Sequence, residues 1–167
     1  LHSIAIGDYA GFNNRNTPTA PSIDPSVFIG HAAGYNGNGG IAIGDSAAFN
    51  FSDYRNIAIG RSALKNNLTG ALDIAIGTDA LENNTNGEYN IALGQFAMRD
   101  NTTGDFNIAI GNNAFDRNTV GDNNTVIGAS AGVFGFGAIN LNNTTVLGSK
   151  ATVSTSNTMV FGNGDVN

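Results

Sequence analysis

The chain has no cysteine, no tryptophan and only three prolines. The absence of cysteine excludes disulfides and thiolate metal sites. No apolar run approaches the roughly 18 residues that span a membrane, and no signal peptide is visible. Charged residues are only 12%, and the few Lys and Arg are scattered, so a basic patch for nucleic acid is absent. We therefore expect no nucleic-acid partner and no membrane insertion by this segment.

Glycine and asparagine are abundant instead. The 167 residues include 23 glycines, the commonest polar residue is asparagine, and the net charge is −6. Such a composition is typical of disordered chains or of short strands joined by many tight turns. The regular placement of Ile and Val favours the second. The pattern is already present near Leu1 and still running near Asn167, which predicts a fragment of a longer chain with export and anchoring signals outside it.

An apolar residue followed by glycine recurs ten times and forms the anchor of a repeat. The anchors are Gly7, Gly30, Gly44, Gly60, Gly77, Gly94, Gly111, Gly128, Gly148 and Gly162, and from Gly60 to Gly128 each step is 17 residues. The residues before the central anchors read Ile-Ala-Ile or a close variant. An alanine follows nine of the ten anchors three residues later. The repeat therefore has fixed columns of large apolar, small apolar and glycine residues.

Each column has a physical interpretation. Ile-Ala-Ile has the period of a strand, and the following glycine permits a turn. We expect the later alanine to lie on a second short strand. Stacked coils are expected to place each Ile on its counterpart in a narrow core. Parallel strands about 4.8 Å apart then make the ten coils extend roughly 43 Å. A polar column precedes the strands and is expected to form a hydrogen-bonded ladder: Asn56, Asp73, Asn90, Asn107 and Asn124.

The repeats predict one domain over residues 1–167, an all-β, parallel β-roll or β-solenoid of about ten short coils. Two insertions interrupt it. Residues 13–26 contain all three prolines and predict a loop leaving the stack, and residues 132–140 form a Gly- and Phe-rich insertion.

Three central segments resemble a known repeat: Asn56–Gly60, Asn90–Gly94 and Asn107–Gly111. They are similar to the head repeat of trimeric autotransporter adhesins, and similar repeats occur in phage tail-fibre proteins. The resemblance covers nearly all of the chain except the two insertions. The chain departs from the adhesin pattern in its coil of 17 residues, which is nearer 14 in that family, and in having no neck, coiled-coil stalk or membrane anchor.

The resemblance implies a left-handed β-roll, with three chains side by side as a homotrimer. It implies that large strand residues fill each chain's core while the smaller alternate residues face neighbouring chains. The candidate trimer contacts are Ala58, Ala75, Ala92 and Ala109. It also implies a non-enzymatic adhesin head or surface fibre that attaches to a host surface protein or glycan, located outside the cell on a bacterial surface or a virion.

Two alternatives remain open. Ile59–Leu64 fits the hexapeptide pattern of left-handed β-helix acyltransferases, which use a histidine as general base. That family runs three hexads per coil, however, and here there is one. The histidines are His2, near the start of the chain, and His31, at a turn position that holds Asp8 and Arg61 in other coils. The other alternative is a structural filament that polymerises through its exposed strand edges.

Exposed aromatic residues are candidates for surface recognition, because aromatic side chains on a rigid scaffold often anchor a ligand. For Tyr89 and Phe106, a packed column with Leu72 is the alternative. No motif for a cofactor or a metal ion is present. The candidate recognition residues are Tyr35, Tyr54, Tyr89 and Phe106.

Overall fold

A computed structural model describes residues 3–13, 25–37, 39–50, 55–133 and 140–162. Most of the two predicted insertions, at 13–26 and 132–140, lies outside these ranges. The described residues form strands and turns without a helix. The strands are β1 Ile4–Ile6, β2 Ser26–Ile29, β3 Gly40–Ile43, β4 Ile57–Ile59, β5 Ile74–Ile76, β6 Ile91–Leu93, β7 Ile108–Ile110, β8 Thr125–Ile127, β9 Gly132–Val133, β10 Thr145–Leu147, β11 Thr152–Val153 and β12 Met159–Phe161.

Ten strands pair in parallel in a single sheet, in the order β1-β2-β3-β4-β5-β6-β7-β8-β10-β12. The register joins equivalent repeat positions, for example Ile57 with Ile74 and Ala58 with Ala75. Successive strands belong to successive coils, so the chain is an all-β parallel solenoid, as the repeat predicted. The remaining strands, β9 and β11, form a second, two-stranded parallel sheet in the last coils.

The strands face the opposite way from the prediction. In strands β4 to β7 the middle residue points inward: Ala58, Ala75, Ala92 and Ala109 are 0% exposed, whereas the flanking Ile and Leu residues are partly or largely exposed. The reason is volume. The large residue four positions after the anchor glycine, such as Leu64 or Met98, is fully buried and fills the narrow interior, which leaves room only for alanine on the strand.

Exceptions to this pattern show the same volume rule. Phe28 replaces the strand alanine in β2, and a Cβ on Gly34, four residues after that coil's anchor, would lie 2.5 Å from its ring. Val126 replaces the alanine in β8, and there the corresponding residue is Gly132. In these two coils a large residue on the strand is matched by glycine four residues after the anchor. In β10 the buried Val146 is matched by Thr152, whose side chain is exposed.

The predicted second strand is replaced by turns in the described coils before β9. Ser62 and Leu64 both have positive φ, 55° and 51°, and the pattern repeats in the following coils. Residues in this left-handed conformation at alternate positions are incompatible with an extended strand. The alanine between them, Ala63, is 0% exposed, so the expectation that only a small side chain fits there is confirmed.

The anchor glycine is required by both conformation and space. Gly60 has a φ of +132°, and a Cβ placed on it would lie 2.5 Å from the carbonyl oxygen of Gly77 in the next coil. The same close approach continues along the column, which explains why this position does not vary in the repeat.

Candidate interaction surfaces

The predicted polar ladder forms in the interior of the solenoid. The side-chain oxygen of Asn56 accepts a hydrogen bond from the backbone N–H of Asp73 at 2.6 Å. Asn90 and Asn107 continue the chain of bonds, at 3.0 Å from the Asn107 N–H to the Asn90 side chain. All five members are fully buried. Each coil is thereby held to the next by a side chain as well as by the sheet.

A second buried column of asparagines faces the turn glycines, and it was not predicted from the sequence. Asn84 Nδ2 donates to the Gly87 carbonyl at 2.9 Å, and Asn101 Nδ2 donates to Asn84 Oδ1 at 3.0 Å. The members are Asn67, Asn84, Asn101 and Asn118, all 0% exposed. Their invariance at one repeat position was the available signal, since a solvated turn tolerates other polar residues.

Asp73 is the one carboxyl group in the first ladder. Its Oδ1 accepts from the Asn90 N–H at 2.8 Å and its Oδ2 from Asn84 Nδ2 at 3.0 Å. Burial raises the pKa of Asp73 to about 8; the hydrogen bonds from Asn90 lower it, and the negative charges of Asp105 and Glu88 raise it. A neutral carboxyl thus occupies a position that asparagine holds in the neighbouring coils.

The outward face of the ten-stranded sheet carries two mostly apolar columns, which we call the isoleucine face. The first column is Ile4, Val27, Ile41, Ile57, Ile74, Ile91, Ile108, Thr125, Thr145 and Met159, and the second is Ile6, Ile29, Ile43, Ile59, Ile76, Leu93, Ile110, Ile127, Leu147 and Phe161. These side chains are partly to largely exposed, from half-buried Ile57 to Phe161 at 64%. The isoleucine face therefore extends along every strand of the sheet.

The predicted trimer contacts are not on this surface. Ala58, Ala75, Ala92 and Ala109 lie in the core of the single chain, with no exposed area for a second chain to contact. Their assignment as subunit contacts is corrected, for the reason of volume given above.

The aromatic candidates fall into separate places. Tyr89 and Phe106 stack with ring centroids 4.8 Å apart, and they remain 45% and 55% exposed. They are therefore both a packed pair and a surface feature. Tyr35 is half-buried and stacks on Phe49 at 4.8 Å in a different column. Tyr54 lies outside the described residues.

No cluster suited to metal binding, meaning three or more His, Asp or Glu side chains, occurs in the described ranges. His31 lies on the surface, with 62% of its side chain exposed, and its Nδ1 is 3.0 Å from Asp45 Oδ1. His2 lies outside the described residues. Across the same parts of the chain there is no helix long and apolar enough to cross a membrane.

Comparison with known proteins gives no relative for this chain: no family model, no curated protein sequence and no solved structure matches it.

Proposed function

We propose that this chain is a segment of a non-enzymatic surface fibre or adhesin head, assembled from three parallel copies packed through the isoleucine face, and that the assembly mediates attachment. The observation that supports the proposal best is the isoleucine face itself. Two adjacent columns of partly to largely exposed, mostly apolar side chains run along the sheet, and contiguous exposed apolar surface marks interaction sites.

The strand geometry does not require these residues. Thr125 and Thr145 occupy the same outward column in β8 and β10 and pair in register with each other. Because polar residues form the same strand there, isoleucine in the preceding coils is not explained by strand formation alone. Burial against another surface explains it, since each buried Ile side chain contributes about 1.5–3 kcal/mol relative to exposure.

A second and a third copy of the chain are the occupants that fit best. A surface that repeats once per coil over the whole sheet is matched at every coil by a parallel copy with the same repeat. Three copies around a common axis close the assembly, as the resemblance to trimeric adhesin heads implies. A rod of this kind, extracellular on a bacterium or a virion, presents its turns to a host surface protein or glycan.

The acyltransferase alternative receives less support. The coils from β4 to β8 contribute a single strand each to the sheet, whereas the hexapeptide enzymes need three sides per coil. We find no observation that favours the structural filament over an attachment fibre.

The mass in solution tests the assembly. We expect the chain to sediment at about three times 17.1 kDa. The double variant Ile74→Asp/Ile91→Asp should sediment as a monomer, because it places carboxylates in the centre of the isoleucine face. Leu68→Asp, which changes an exposed turn residue, is the matched control and should remain trimeric. A wild-type monomer, or a trimer unaffected by the double variant, would exclude this interface.

A further inference from the structure

The turns of the first three coils carry four aromatic rings, Tyr9, Phe12, Tyr35 and Phe49, which we call the aromatic patch. Phe12 stacks on Tyr35 with centroids 5.5 Å apart, and Tyr35 stacks on Phe49 at 4.8 Å. Tyr9 meets Phe12 at 74° and 5.5 Å, so two rings form a corner. Tyr9 and Phe12 are 56% and 62% exposed, which leaves much of both rings open to a ligand.

The repeat provides a natural control for these residues. Phe12, Tyr35 and Phe49 all lie five residues after their anchor glycine. In the next four coils the same position holds the alternating charges Lys65, Glu82, Arg99 and Asp116. The coil therefore forms equally well with charged residues there. The fold does not require an aromatic residue at this position, where Phe12 is exposed and Tyr35 and Phe49 are half-buried. The recurrence of an aromatic ring in three consecutive coils indicates a role at the surface.

A row of amides runs beside the aromatic patch, one residue further along each coil. Asn13 Nδ2 donates to Asn36 Oδ1 at 3.2 Å, and Asn36 Nδ2 donates to Asn50 Oδ1 at 3.2 Å. Each amide has two donors and two acceptor lone pairs, so these bonds leave donors and acceptors available to a ligand. The amides also fix one another's orientation along the solenoid axis.

The three coils of the patch carry few charged residues. His31 lies at the border of the patch, 6.1 Å from the Tyr9 ring, and contacts Asp45 at 3.0 Å. Among the described residues of these three coils none is Lys or Arg, whereas Asp8 and Asp45 are acidic. Lys65 occupies the same column one coil after Phe49, three coils away from Phe12, so the exposed Tyr9 and Phe12 end of the patch disfavours phosphate, sulfate and carboxylate groups.

We propose that the aromatic patch and the adjoining amide row bind a neutral oligosaccharide. The C–H faces of sugar rings carry partial positive charge and pack on the negative faces of aromatic rings, while the hydroxyls exchange hydrogen bonds with amides. The three coils extend about 10 Å along the axis, enough for roughly two sugar rings. The inference deepens the attachment function proposed above, because it names the ligand class and the site.

A printed array of neutral and acidic oligosaccharides, probed with the labelled chain, tests the proposal. The test variant is Phe12→Lys/Tyr35→Glu. Two later coils, which follow one another, have Lys65 and Glu82 at the same repeat position. The fold therefore tolerates them, and the net charge does not change. We expect the wild type to retain neutral oligosaccharides and the variant to lose at least about ten-fold in affinity. Tyr89→Ser, which removes a ring from the other exposed aromatic pair, should bind within about two-fold of the wild type.

Several results would overturn the inference: no oligosaccharide retained by the wild type, retention of acidic oligosaccharides only, or equal binding by the Phe12→Lys/Tyr35→Glu variant. The chain could also bind a control protein on the array and no glycan, and lose that binding in the Phe12→Lys/Tyr35→Glu variant. This result would identify a protein ligand and would also overturn the inference. Sedimentation of each variant separates this test from the proposed assembly, since the aromatic patch lies outside the isoleucine face. A monomer that still binds neutral glycans would refute the trimer and leave the site intact.

Discussion

The Oδ1 atom of Asp73 accepts a hydrogen bond from the backbone N–H of Asn90 at 2.8 Å, in a buried ladder whose neighbouring members are asparagines. Asn56, one coil earlier, donates from its amide to the Gly70 carbonyl at 2.7 Å. Asp73 instead accepts at both oxygens, from the Asn90 N–H and from Asn84 Nδ2. Burial outweighs the lowering effect of the Asn90 hydrogen bonds and raises the pKa of Asp73 to about 8.

We expect the stability of the chain to fall as the pH rises from about 4 to 8. The unfolded pKa of Asp73 is near 3.8 and the folded pKa is about 8, so between them the native state holds one proton that the unfolded state has released. The limiting slope is about 1.4 kcal/mol per pH unit. Below the unfolded pKa this contribution is fully present, and above the folded pKa it is lost. Urea denaturation at pH 5 and pH 8 measures the change.

Asp73→Asn should remove most of this pH dependence and raise the stability at pH 8. Asn107→Asp in that background is the matched control, because Asn107 occupies the same ladder two coils later. It should restore the slope. Equal shifts between pH 5 and pH 8 for the wild type and Asp73→Asn would show that the carboxyl is ionised in the folded chain.

The orientation of the strands predicts opposite responses at neighbouring residues. Ala92→Leu forces a large side chain into a filled core and should destabilise the chain by about 1–3 kcal/mol or more. Ile91→Thr changes an outward residue to the type found at Thr125, and it should change the stability of the single chain by less than about 1 kcal/mol. Thermal unfolding at a low concentration, where assembly is absent, compares the two. If Ile91→Thr were the more damaging variant, the original inward placement of isoleucine would be correct.

The sequence predicted the period, the parallel register and the polar ladder, because identical residues recur at fixed spacing and stack directly. It did not predict which strand face is buried, since an Ile-Ala-Ile strand has the same period whether its isoleucines or its alanine point into the core. Residue size alone favoured burying isoleucine. The complementary pair Phe28 and Gly34 was the signal for the correct face, and it requires comparing two columns of the repeat at once.

The grouping of the aromatic patch was predicted less well. Tyr35 was singled out from the sequence, but Tyr9, Phe12 and Phe49 were not, because their proximity to Tyr35 depends on how separate turns stack. A single turn sequence does not contain that information. Comparing the same repeat position in all coils, where aromatic residues change to charged residues after Phe49, was the available signal.

Gly94→Ala should destabilise the solenoid by at least about 2 kcal/mol. Gly94 has a φ of +136°, and an added Cβ would lie 2.5 Å from the Gly111 carbonyl oxygen, so both backbone strain and a clash between coils result. Gln95→Ala, at the adjacent exposed position, is the control and should stay within about 0.5 kcal/mol of the wild type. Urea denaturation of both variants at one pH gives the comparison. A Gly94→Ala variant as stable as Gln95→Ala would mean that neighbouring coils are further apart than the structure shows.

The buried asparagine column of the turns supplies the last prediction. Asn101 is 0% exposed, and its Nδ2 donates to the Gly104 carbonyl at 3.1 Å and to Asn84 Oδ1 at 3.0 Å. Asn101→Ala leaves Asn84 Oδ1 buried without this donor, whereas the Gly104 carbonyl keeps the hydrogen bond from Asn90 Nδ2 at 2.9 Å. We expect a loss of about 1–3 kcal/mol, larger than the net value of one exposed hydrogen bond. Asn83→Ala removes a partly exposed amide that donates to Asp100 Oδ1 at 3.4 Å, and it should cost less than about 0.5 kcal/mol, because water replaces this contact. Hydrogen exchange of the Gly104 and Asp105 amides should rise in Asn101→Ala and remain unchanged in Asn83→Ala. Equal costs for the two variants would indicate that water enters the turn and that the column is not a dry part of the core.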